Sequence, residues 1–143
     1  MNDYLLMSIK TKHANKIFNG TKTFEYRTKS IGEKNLNKYC YIYSSEDAKA
    51  VIGYVIFDNI VSGSEDYIIK HSSPENITAL RNYFKGKNIC YALHIKSYKL
   101  FDTPLSLEYL KKINNNFNVP QFYRYIKPDE ALYSMATRES NLK

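Results

Sequence analysis

The reading of this chain turns on "IFNGTKTFEYRTKS", residues 17–30. Asn19-Gly20 stops a helical pattern, because glycine accepts the left-handed conformation that closes a helix. From Lys22 to Thr28 the period changes to two, with Phe24 and Tyr26 on one face of a strand and Glu25 and Arg27 on the other. Lys22 emerges where the carbonyl end of the helix favours a cation. Glu25 and Arg27 share a face and can pair. Two readings follow. The charges are a solvated edge face that blunts unwanted strand pairing, or they line a cleft. In a cleft, Arg27 presents a planar fork to a phosphate or base edge, and Glu25 orients it or accepts an amino proton.

Upstream, "YLLMSIK" (4–10) alternates Leu5, Met7 and Ile9 against Leu6, Ser8 and Lys10, which predicts a strand. "TKHANKIF" predicts a short helix capped by Thr11, with Ala14, Ile17 and Phe18 as its buried stripe. Downstream, "KYCYIYSS" reads as an aromatic strand ending in Ser44-Ser45. "KAVIGYVIFDNIVSG" reads as a long strand apolar on both faces, with Gly53 as a bend or bulge. Ser64 and then Ser73-Pro74 open two helices, the second stopped by Gly86. "NICYALHIKSYKLF" is another strand, and "TPLSLEYLKKI" a helix started by Pro104 and Ser106. "VPQFYRYI" is a last extended segment, and residues 127–143 form a helical tail for which fraying, docking on its own barrel and docking on a second copy are all open. Five or six strands that do not alternate regularly with helices predict an α+β fold, a small mixed β-barrel with peripheral helices. No repeat or linker divides the chain, so residues 1–143 read as one domain, with a core over about 4–126.

Composition sets the class of partner. A net charge of +7 suits contact with phosphates or an acidic surface. The basic residues are mostly lysine, a point charge rather than a fork. The aromatic residues are 14 Tyr and 7 Phe with no Trp, a set that serves core edges and base stacking equally. Cys40 and Cys90 lie inside apolar runs and read as reduced, buried thiols of a cytoplasmic protein. His13, His71 and His94 have no metal-binding spacing, and the N-terminal apolar run is too short for a membrane span or a signal peptide. No metal and no membrane are expected, and nothing in the sequence sets the oligomeric state.

The order of these features resembles the ASCH family, a branch of the PUA-like β-barrels. The resemblance is carried by G-x-K-x-x-E-x-R over Gly20, Lys22, Glu25 and Arg27, then by the "YAL" strand and the "PQFYRY" ending. It spans about residues 4–126. It implies a pseudobarrel with a cleft beside the first helix, an RNA-linked role and no cofactor. Some relatives are hydrolases that remove an acyl group from a modified cytidine, and others have been proposed as ribonucleases. The amide-hydrolysing type resembles G-x-K-x-x-T-x-R with a threonine nucleophile. This chain has Glu25 at that position, and a carboxylate is a poor nucleophile toward an amide.

The reading that follows is a module whose basic cleft accepts RNA or a nucleotide, with DNA and a free nucleoside also open. A hydrolase using Lys22, Glu25 and Arg27 is the alternative. Its weakness is that Glu25 paired firmly with Arg27 is less free to act as a base. A regulator that binds only protein is the third reading. Candidate ligand contacts are Ser8, Lys10, Gly20, Lys22, Glu25, Arg27, Ser44, Ser45, Gln121, Tyr123 and Arg124. Phe122 reads as barrel closure and His94 as a satisfied core histidine. His13 can face the cleft but has no evident partner.

Overall fold

A strand with apolar side chains on both faces must lie inside a sheet that is covered on both sides, and β1 (Tyr4–Lys10) does. The computed structural model describes residues 2–142. After β1 come α1 (Thr11–Phe18), β2 (Phe24–Arg27), β3 (Tyr39–Ser45) and β4 (Ala50–Gly63). Then follow α2 (Glu65–Ser72), α3 (Ile77–Phe84), β5 (Cys90–Ser106), α4 (Leu107–Ile113), β6 (Tyr123–Tyr125) and α5 (Ala131–Asn141). The strands form one mixed sheet in the order β2-β5-β4-β3-β1-β6. Only the β1–β3 pairing is parallel among the described residues.

The sheet curls into a half-barrel, and one side chain shows how far. β5, β4 and β3 separate β2 from β1, yet Arg27 of β2 donates from Nη2 to the Ser8 carbonyl of β1 at 2.6 Å. The inner face buries Leu5, Met7, Ile9, Ile42 and Phe57, and α1 closes it with Ala14 and Ile17. On the outer face Leu6, Tyr41 and Tyr54 lie under Leu110 of α4 and Leu132 and Ala136 of α5. A third cluster seats Ile68 of α2 with Leu80 and Phe84 of α3 on Phe24, Tyr26, Cys90 and Ala92.

The curl needs Gly53. The β4 register slips between Val51 and Gly53, and a Cβ there would stand 2.1 Å from the Lys99 carbonyl and 2.9 Å from the Phe18 ring. Several sequence expectations shift. Lys10, not Thr11, is the residue before α1, and the Thr11 hydroxyl donates instead to the Ser45 carbonyl. Asn76 caps α3 by accepting from Ala79 N at 2.9 Å, while Ser73 ends α2 in a left-handed turn. Pro104 lies in β5, and α4 starts only after Ser106. Among the described residues the tail docks on its own sheet, with Leu132 and Ala136 in the outer-face cluster. Tyr133 donates to Asp3 Oδ2 at 2.9 Å, and the hydroxyls of Tyr4 and Thr137 lie 3.3 Å apart. Among the described residues no helix is long and apolar enough to cross a membrane, and no cluster of metal-ligating side chains occurs.

Candidate functional site

The turn after α1 sets the first charge of the site. Gly20 takes φ +84°, and the Thr21 and Lys22 amides both reach back to the Lys16 carbonyl at 3.0 Å, so Lys22 leaves the helix end in a fixed direction. Lys22 Nζ then donates to Glu25 Oε1 at 2.8 Å, and Arg27 Nε donates to Glu25 Oε2 at 3.0 Å. This is not a solvated edge face. Glu25 is only 4% exposed, and its two cations are mostly buried as well. The Arg27 guanidinium lies over the Phe122 ring, 4.9 Å from its centroid, so the β2 edge is held against the β1–β6 edge. The row of charges sits at the open seam of the half-barrel.

The seam widens into a cleft of about 490 Å³. Its floor is Lys22, Glu25 and Arg27. One wall is α1, with Lys12, His13 and Lys16; the other is the α2–α3 arm from Ser72 to Tyr83. Tyr26 faces that arm and donates to Ser72 Oγ at 2.9 Å, which in turn donates to the Ile68 carbonyl at 2.7 Å. Burial raises the Tyr26 and Tyr83 hydroxyls above the ordinary tyrosine range, so both stay protonated donors at neutral pH. Burial, reinforced by the Lys22 charge, lowers His13 below its ordinary 6.5, so its imidazole is neutral at pH 7.

No family model matches the chain. The ASCH domain-containing ribonuclease of Zymomonas mobilis is 27% identical over 128 residues, covering 87% of this chain and 85% of its own. A crystal structure of a tyrosine-to-phenylalanine variant of ZmASCH, from the same organism, superposes with a TM-score of 0.82 at 25% identity. That match covers 94% of this chain and 97% of the other. The chain is similar to these ASCH proteins in both sequence and fold. The N-terminal domain of Staphylothermus marinus McrB shares the fold alone, with a TM-score of 0.61 at 11% identity over 97% of this chain and 94% of that one.

The cleft gathers Ser8, Lys10, Lys22, Glu25, Arg27, Ser45 and Gln121 from the residues singled out in the sequence. Within it, Ser8 Oγ is already committed to the Pro120 carbonyl at 2.6 Å. Gly20, Ser44, Tyr123 and Arg124 are not among its lining residues. Gly20 shapes the turn, and Ser44 donates to Thr11 Oγ1 at 2.9 Å. Tyr123 packs edge-on against Phe122, and Arg124 forms a fork with both oxygens of Glu130 at 2.9 Å. Arg124 holds the Glu130 carboxyl below the usual range against the opposing effect of burial, so that pair ties β6 to the start of α5. His94 is not a core histidine; it is partly exposed and meets Asp58 Oδ1 at 2.7 Å. The sequence reading missed the second wall, including Pro74, Glu75 and Tyr83. Its one visible signal was Ser-Pro-Glu between two helical patterns, which reads only as a turn.

Proposed function

We propose that this protein binds single-stranded RNA and seats one unpaired nucleotide in the cleft. The observation that carries the proposal is the buried Lys22–Glu25–Arg27 row at the bottom of a concavity whose rim holds Lys10, Lys12 and Lys16. Glu25 takes one hydrogen bond from each neighbour, which leaves further N–H donors on Lys22 and Arg27 for phosphate or carbonyl oxygens. Tyr26 and Tyr83 supply aromatic faces beside those donors. A cleft of about 490 Å³ matches one splayed nucleotide in size better than a duplex. The similarity to a protein named a ribonuclease supports RNA as the polymer.

The test is fluorescence anisotropy with labelled single-stranded RNA, the same sequence as DNA, and duplex RNA, over a range of salt. With about three phosphates engaged, a fourfold rise in salt weakens single-stranded RNA binding by more than about tenfold. Binding that ignores salt, or prefers the duplex, overturns the proposal.

The relative's name favours a second reading, RNA cleavage. A base takes the 2′-hydroxyl proton, the 2′-oxygen attacks the adjacent phosphorus, the P–O5′ bond breaks, and the departing 5′-oxygen takes up a proton. Both Glu25 oxygens already accept charge-assisted hydrogen bonds, so the neutral imidazole of His13 is the better-placed acceptor. Lys22 would balance charge on the phosphorane. Cyclic 2′,3′-phosphate ends that disappear in His13→Gln and Lys22→Ala support this reading; intact RNA after prolonged incubation removes it.

A further inference from the structure

The two walls of the cleft are anchored in different cores. α1 is tied to the barrel interior through Ala14 and Ile17, whereas α2 and α3 share a cluster with Phe24 and Tyr26. Among the described residues, the one ion pair joining α1 to the arm is Lys16 Nζ to Glu75 Oε1, at 3.2 Å. Both side chains line the cleft, and both are exposed, at 45% and 67%. The turn from Ser73 to Asn76 delivers the Glu75 carboxylate. Ser73 is fixed in the left-handed region at φ 47°, and Asn76 is fixed by its cap on Ala79. Glu25 and Glu75 are the two carboxylates in the lining, and Glu25 is already neutralised by Lys22 and Arg27. Glu75 is therefore an acid planted in an otherwise cationic rim.

We infer that Lys16 is a phosphate-binding residue and that Glu75 is its built-in competitor. In the free protein the carboxylate occupies the place that a phosphodiester oxygen of the flanking nucleotide takes in the complex. The inference rests on the RNA-binding reading above and adds a contact outside the central row. An exposed ion pair of this kind holds weakly and exchanges readily for another anion. A nucleoside without phosphates cannot displace Glu75 in this way, whereas an RNA strand can. Lys16 therefore adds affinity only for a ligand that carries a phosphate, and Glu75 reduces that gain by the cost of its displacement.

The experiment measures binding of a fluorescein-labelled single-stranded RNA of mixed sequence to the full chain and to Glu75→Gln, Lys16→Gln and the double variant. Glu75→Gln tightens binding by about twofold to fivefold, Lys16→Gln weakens it by a similar factor, and Glu75→Gln adds nothing once Lys16 is replaced. Equal tightening in both backgrounds means that Glu75 acts only through overall charge, and it overturns the inference. So does a Glu75→Gln variant that binds like the parent. A parent chain that binds no RNA at all overturns the proposed function and this inference with it.

Discussion

Replacing Glu25 with alanine removes the shared partner of two cations. The carboxylate is 4% exposed and accepts at 2.8 Å from Lys22 and at 3.0 Å from Arg27. Breaking a buried pair by deleting one member costs about 3–5 kcal/mol, because the remaining charge is left without compensation. Here the cations keep an open side, at 14% and 16% exposure, so the lower end applies, about 3 kcal/mol. At about 3–4 °C per kcal/mol for a domain of this size, the melting temperature falls by about 10 °C. Circular dichroism melts at neutral pH measure that, and urea titration at an unchanged slope checks it independently. Lys22→Ala leaves Glu25 still bonded to Arg27 and costs less, about 1–2 kcal/mol. If Glu25→Ala melts within about 2 °C of the parent, or Lys22→Ala is the more damaging change, the charges do not form a buried unit and the reasoning fails.

His13 should titrate by NMR below 6.5, and Lys22→Met should raise its midpoint. Because the unfolded chain binds this proton more readily, the His13 contribution to stability is complete above its unfolded value of 6.5 and is lost as pH falls from there through the folded value. Gly53→Ala should destabilise by about 3 kcal/mol or more, since its methyl group would meet a backbone carbonyl; an unchanged melting curve would show that the strand can shift aside. Leu132→Ala should cost about 2–4 kcal/mol, because that side chain is fully buried under the sheet. A loss below about 1 kcal/mol would mean that α5 is not part of the packed structure.

Local periodicity carried much of the fold. The alternation in "YLLMSIK" predicted a strand, the run "AVIGYVIF", apolar on both faces, an interior one, and the Ser64 cap marked the start of α2. Long-range geometry was less legible. Nothing local to Arg27 says that its guanidinium crosses the seam to Ser8, because that contact depends on how far the sheet curls. Arg124 sits in a stretch that suits base contact, but its nearest carboxylate, Glu130, is six residues on and claims both arms of its fork. The α2–α3 wall was invisible as a wall because a helix pair carries no signal for the surface it will face. The clue in the quoted segment was a glutamate and an arginine two apart on a short strand, whose burial had to be supplied by the rest of the chain.

The meeting of Asp3 and Tyr4 with Tyr133 and Thr137 has a practical use. A short flexible linker can join these two regions, and the backbone can be reopened in the exposed turn at 85–89. Such a circular permutant would keep the cleft floor, α1 and the α2–α3 arm in one continuous stretch, and it would move both free ends to the junction of α3 and β5 for immobilisation.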